Sequence, residues 1–189
     1  MKTAIFVLFG STLYATVRYN VCKGVSWNDW SVYTLNKAFA LSALTLLVVA
    51  VIRQRFEKGS AKDKTLSMAG LFAFMHGLLS LVLFSPVYYE KFFIQGKLTL
   101  LASWSLLFGA GAAGSMKGVL QAQANQSADR GVMKLTLLVF FIGLHAMLPG
   151  FQGWFTPSKW PGGMPPITLI SFVFALIALV AGFYPRKRI

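Results

Sequence analysis

Six apolar stretches separated by short polar connections constrain this chain more than any other feature: Thr3 to Val17, Leu35 to Ile52, Leu66 to Phe84, Leu98 to Met116, Leu135 to Leu148 and Ile167 to Tyr184. A helix needs about 20 mostly apolar residues to cross about 30 Å of hydrocarbon, and there every backbone N–H and C=O must be bonded within the segment. Stretches of this length predict membrane helices, and six of them use most of the 189 residues. Composition agrees, with 56% hydrophobic residues, 12% charged and a mean hydropathy of +0.63, where soluble domains carry about a quarter charged residues. The expected fold is an all-α membrane protein, a six-transmembrane-helix bundle forming one domain over residues 1–189, with no room for a separate soluble domain. Lys2 ahead of a short apolar run resembles a signal peptide, but the small-residue cleavage pair around Ala15 is poorly formed, so the reading is a retained first helix.

The distribution of basic residues sets the orientation. With the N-terminus inside, twelve of the 18 Lys and Arg fall on inner segments, and six fall outside: Arg18, Lys23, Lys37, Lys91, Lys97 and Lys159. By the positive-inside rule both termini are cytoplasmic and the protein is multi-pass in the inner (plasma) membrane. The net charge of +13 is then a topology signal plus attraction to anionic membrane lipid, about 1 kcal/mol per basic residue near the surface. No nucleic-acid partner is expected, because the basic residues are scattered over loops and line no groove. A lone cysteine, Cys22, excludes an internal disulfide framework and a Cys-rich metal site. The outer connections SPVYYEKFFIQGK and PGFQGWFTPSKWPGGMPP are dense in aromatics, Pro and Gly. They read either as an aromatic belt at the headgroups or as a structured cap over the helix ends.

One stretch, GAGAAG at Gly109 to Gly114, has the glycine spacing of a dinucleotide fingerprint. That fingerprint has mechanical meaning only between a strand and a helix, where the glycines let backbone N–H groups approach a pyrophosphate. Here it lies inside an apolar helix, which excludes a soluble-type dinucleotide site. The pairs Ala110 with Gly114 and Gly111 with Ser115 form small-xxx-small faces, read first as helix packing and otherwise as a slot for a flavin ring or quinone.

The only two histidines, His76 and His145, both fall inside apolar stretches, the third and the fifth. Ionisable groups at that depth are costly and usually functional. His76 follows Lys64 by 12 residues and His145 follows Lys134 by 11, about 18 Å and about 16 Å along helices that run in the same direction. Two level imidazoles are a candidate pair of axial ligands to a haem iron, with Gly77, Gly143 and Ala146 small enough for a flat macrocycle to approach the backbone. Histidines paired to other helices or handling protons are the alternative. No Asp or Glu lies in any apolar core to complete a non-haem metal site.

Three stretches carry a family resemblance: YTLNKAFALSALTLL, MAGLFAFMHGLLSLVLFSPVYYEKFFIQGKLTLLASWSLLFG and GLHAMLPGFQGWFTPSKWPGGMPPIT. Together they resemble the ferric reductase-like transmembrane domain family over nearly the whole chain. The resemblance implies a six-helix bundle that holds haem b through histidines of the third and fifth helices and moves electrons across the membrane. His76 and His145 occupy those ligand positions. The family's two-haem members have a second histidine on each of these helices and this chain has none, so one haem per chain is implied. The flavin and nicotinamide domain of some members is also missing. The implied donor is therefore a flavoprotein reductase, a membrane quinol, or a flavin held partly by the bundle, and the implied acceptor is an outer-side redox partner. On this reading the chain is the membrane component of an oxidoreductase, and Lys91, Lys97, Lys159, Trp154 and Tyr89 are candidates to contact the haem propionates or the acceptor at the outer rim, with interfacial anchoring as the other reading of each. The rival is a cofactor-free membrane scaffold or a small proton-coupled transporter using the two histidines.

Overall fold

The computed structural model describes residues 1–57, 64–125 and 128–185, without the side chains of residue 91 and residues 117–129. Lys58, Lys62, Lys117, Arg186, Lys187 and Arg188, all counted towards the orientation, lie outside the described residues or side chains. Six helices form the body: α1 Lys2–Thr16, α2 Leu35–Phe56, α3 Lys64–Val82, α4 Leu100–Asn125, α5 Ala128–Gly150 and α6 Ile167–Phe183. Apart from a two-residue hairpin, β1 Phe93–Ile94 with β2 Lys97–Leu98, the described residues are helical or irregular. Four segments are long and apolar enough to cross a membrane: Trp27–Phe56, Lys64–Val82, Arg130–Phe155 and Pro161–Phe183. The expectation of six is met only in part. The α-helical part of α1 has 15 residues and continues as a π-helical turn, Val17–Cys22, holding the polar Arg18 and Asn20. The apolar part of α4 is Leu100–Met116.

Helix α2 is the central element. Its Leu44, Leu46, Leu47 and Val51 are fully buried and pack with Leu135, Leu138 and Val139 of α5 and Ala175 and Ala178 of α6. Helices α5 and α6 approach closely because small residues meet along their length. A Cβ added at Gly143 would strike Ala175, one at Gly150 would strike Thr168, and one at Gly182 would strike Thr136. Where lipid offers no hydrophobic drive to association, such close backbone approach supplies the dispersion contacts. The outward faces stay apolar, with Phe6 and Phe9 of α1, Phe74 and Leu81 of α3 and Val180 of α6 all exposed. In a protein that buried its apolar surface from water this would be a liability, whereas a lipid-facing surface requires it.

The two ends of the bundle differ. At one end Arg55 donates to the carbonyl of Tyr184 just past α6, a cation placed where helix carbonyls are left over. The other end is closed by folded connections. Residues after α5 wind through three short 3-10 turns, Phe151–Phe155, Pro157–Lys159 and Pro161–Gly163. They are tied down by Trp160 Nε1 to the Gly153 carbonyl (2.9 Å), Trp154 Nε1 to Thr168 Oγ1 (3.0 Å) and Tyr14 Oη to the Pro165 carbonyl (2.5 Å). Arg18 Nη1 donates to the Met164 carbonyl. The connection between α1 and α2 joins the same closure through Trp30 Nε1 to Thr16 Oγ1 (2.9 Å) and Thr34 Oγ1 to Asn20 Oδ1 (2.7 Å). Tyr88 Oη donates to Asp29 Oδ1 (3.1 Å), a bond that holds the phenol above its ordinary pKa. Of the two sequence readings, belt or cap, these bonds describe a cap.

Candidate functional site

Helix α3 packs on α2 and touches α1, while α4 packs on α5; along its described length α3 has no extended contact with α4 or α5. His76 and His145 face each other across this gap, nearer the capped end, with ring centroids 6.4 Å apart and planes at 68°. The level placement read from sequence is therefore a spatial pair.

Each ring is held through the same nitrogen by a neighbouring helix. His76 Nδ1 lies 2.5 Å from Asn36 Oδ1 and 3.3 Å from the Asn36 carbonyl, both on α2. Asn36 is fully buried, and its amide nitrogen donates to Tyr89 Oη (2.8 Å) and to Ser80 Oγ (3.2 Å). Its Oδ1 is thus left as the acceptor, so His76 Nδ1 must carry the proton. His145 Nδ1 lies 2.7 Å from the Ser105 carbonyl of α4. An N–H donated to a carbonyl fixes that tautomer too. Among the described residues neither Nε2 has a hydrogen-bond partner. Two imidazoles locked at Nδ1 with Nε2 lone pairs free are in the state that metal-ligating histidines adopt.

The seat of His145 is built from three residues whose spacing has a local cause. Pro149 stands four residues after His145 in α5, and a proline there removes the N–H that would have bonded the His145 carbonyl. Ser105 Oγ replaces it, donating to that carbonyl at 2.8 Å. Ser105 is fully buried, so each of the two residues satisfies the other. One turn along α4, an added Cβ at Gly109 would lie 2.9 Å from His145 Nδ1 and 3.1 Å from Cε1. The first glycine of GAGAAG is there to seat an imidazole.

The remaining glycines of that stretch behave differently. A Cβ at Gly111 or Gly114 would meet nothing within 4 Å, so among the described residues these two do not bring α4 against another helix of the chain. They line a groove of 540 Å³ between α4 and α5 with Phe108, Ser115, Phe141 and, at its edge, Lys134. Phe108 and Phe141 stack at 5.8 Å and 25° between α4 and α5.

The other residues singled out in the sequence are dispersed. Gly77 borders open space beside His76, whereas Gly143 is spent on the contact with Ala175 of α6, away from the histidine face of α5; Ala146 is half-buried next to His145. Lys97 and Lys159 are exposed, Trp154 is tied to α6 through Thr168 and Phe172, and the side chain of Lys91 lies outside those described. Of the rim residues whose side chains are described, Tyr89 alone reaches the histidine network, through Asn36. Asn36, Ser80, Ser105 and Gly109 were missed as seats. Two signals were present in the sequence: an asparagine at the start of an apolar helix, and a proline four residues after a membrane histidine.

The separation of the two rings is compatible with a pair of imidazoles that would hold one haem iron between them. Two rings bound through Nε2 on opposite sides of one metal, at bonds of about 2.0 Å, have centres about 6 Å apart. The separation here is 6.4 Å, and the helices bearing the rings have no extended contact with each other. Among the described residues no group of three or more His, Cys, Asp and Glu could hold a bare metal ion. Compared with known proteins, the chain matches no family model, no curated protein and no solved structure.

Proposed function

We propose that this chain is a single-haem membrane electron-transfer subunit of the ferric reductase-like kind, with His76 and His145 as the axial ligands. One observation carries the reading: two imidazoles with ring centroids 6.4 Å apart, each held at Nδ1 by a different helix, have no hydrogen-bond partner at Nε2 among the described residues. Haem b supplies a one-electron carrier within the membrane. The protein holds the two ligand rings in fixed tautomers, keeps water from the gap with apolar helices, and closes one end with the cap. In this reading both termini are cytoplasmic and the cap faces the outer side, where an acceptor takes the electron. The groove between α4 and α5 is the donor side. Its 540 Å³ volume is in the range of small-molecule sites, and it suits a flavin or a quinone, supplied by a flavoprotein reductase or by the quinol pool. The stacked Phe108 and Phe141 line that groove, Phe141 one turn before His145 in α5.

The network from His76 through Asn36 to Tyr89 also favours a second reading, a cofactor-free protein that moves protons. The two are separated by oxidised and dithionite-reduced spectra of the detergent-purified protein, with a pyridine haemochrome count, for the intact chain, His76→Ala and His145→Ala. One haem b per chain with low-spin bands, lost or converted to high spin in either variant, is expected. A folded protein that stays colourless when haem is supplied during expression overturns the haem reading.

A further inference from the structure

The residue after Asn36 is a lysine, Lys37, and among the described residues no carboxylate forms an ion pair with it. Lys37 Nζ lies 5.2 Å from the centre of the Tyr33 ring and 4.7 Å from that of Tyr89. Tyr89 is the residue to which Asn36 donates while Asn36 Oδ1 accepts from His76. The ammonium is thus caged by two neutral rings on the cap side of the histidine pair. Among the described residues no carboxylate pairs with it, and the charged and polar groups around it are Tyr19, Tyr33 and Tyr89. Its charge lies near enough to both imidazoles for its field to act on each. Cation–π contact offsets part of the cost of removing an ammonium from water, but a cation at the end of an apolar bundle still calls for a counter-charge.

We propose that Lys37 is a carboxylate anchor, which takes the acid group of a ligand occupying the gap between α3 and α5. Two observations converge on this. Among the described residues the cation has no acidic partner, and it lies against Tyr89, which accepts from the residue that seats His76. The identity of the carboxylate rests on the haem reading: with haem between the histidines it is a propionate of the macrocycle, and without haem it is a free organic acid. Lys37 was counted in the sequence only as an outer charge, and the fold makes it the basic residue of the site.

The test uses the full chain in detergent, as the intact protein and as Lys37→Gln, Lys37→Met and Lys37→Arg. Each is loaded with protohaem or with its dimethyl ester, which lacks the free carboxylates, and release to an excess of a haem-scavenging apoprotein is timed. Protohaem is expected to leave the Gln and Met variants about tenfold to a hundredfold faster than the intact protein, the range of one charge-assisted contact. Lys37→Arg should stay near the intact rate, and the ester should leave all forms at one fast rate. If the intact protein holds the ester as long as protohaem, or if the variants release both equally fast, the anchor is overturned. If the intact protein takes up neither porphyrin, the haem reading falls and the anchor is tested separately by thermal unfolding in sodium succinate. Protection of the intact protein and of Lys37→Arg, but not of Lys37→Gln, supports an anchor for a free acid. No protection of the intact protein overturns it.

Discussion

The seats of the two histidines solve one problem in different materials. His76 is held by a side chain, Asn36, whose own amide is committed to Ser80 and Tyr89, so its position depends on a polar network reaching into the cap. His145 is held by backbone: it donates to the Ser105 carbonyl, its own carbonyl is satisfied by Ser105 Oγ, and the ring lies over Gly109. A side-chain seat can respond to what happens at the cap, including the charge on Lys37. A backbone seat is rigid and tolerates no added volume. The difference predicts that damage on the α4 side abolishes the site sterically, while damage on the α2 side alters its properties.

The largest effect is expected at Gly109. Gly109→Val places atoms where His145 Nδ1 and Cε1 lie, 2.9 and 3.1 Å from the first added carbon alone, and the ring cannot retreat without losing the Ser105 carbonyl. Haem incorporation should fall to the level of His145→Ala, while the thermal unfolding of the haem-free protein changes by the few degrees typical of about 1–3 kcal/mol of overpacking. Near-normal haem content in Gly109→Val would show that the ring does not use this seat.

A smaller effect is expected at Asn36. Asn36→Leu takes the donor from Tyr89 Oη and leaves His76 Nδ1 only the longer contact to the residue-36 main-chain carbonyl (3.3 Å), at about 1–3 kcal/mol for the weakened and unsatisfied buried groups. The haem should remain, more weakly held, with its reduction midpoint shifted because the axial imidazole has lost its side-chain acceptor. Ser105→Ala, the matching change on the other side, keeps the carbonyl that accepts from His145 and so should cost stability with little shift in midpoint. Equal midpoint shifts in both variants would dissolve the contrast between the two seats.

Much of this was legible in the sequence, and the limits have physical causes. The helical architecture followed from the apolar stretches, and the pairing of His76 with His145 followed from counting residues along two helices. The span count did not carry through. Arg18 and Asn20, which end the first apolar stretch, bond into the cap, so that the α-helix of α1 stops at Thr16 and a π-helical turn follows. Asn36 and Lys37 could not be assigned, because which face of α2 meets α3 depends on packing between helices that are apolar all round. The neighbour of Gly143 was hidden for the same reason: residues two apart on a helix point to nearly opposite faces, so a glycine two before His145 meets α6.

The smallest structural effect is expected at Gly111, where the contrast with Gly109 is sharpest because a single residue, Ala110, separates them. A leucine at Gly109 would enter the histidine seat, whereas one at Gly111 extends into the groove beside Phe108, Phe141 and Lys134, where an added Cβ meets no atom within 4 Å. Replacing a helical glycine by leucine also favours the helix, by up to about 1 kcal/mol. Gly111→Leu should therefore fold at least as well as the parent and keep its haem content and spectrum. If the groove is the donor side, the variant should lose reduction by a quinol or a reduced flavin while dithionite still reduces it fully, since a small reductant needs no slot. Unchanged reduction by both donors would remove the groove from the electron path and leave Gly111 and Gly114 as a lipid-facing hollow. Loss of folded protein would instead mean that α4 meets another surface there, a second copy of the chain or a partner subunit.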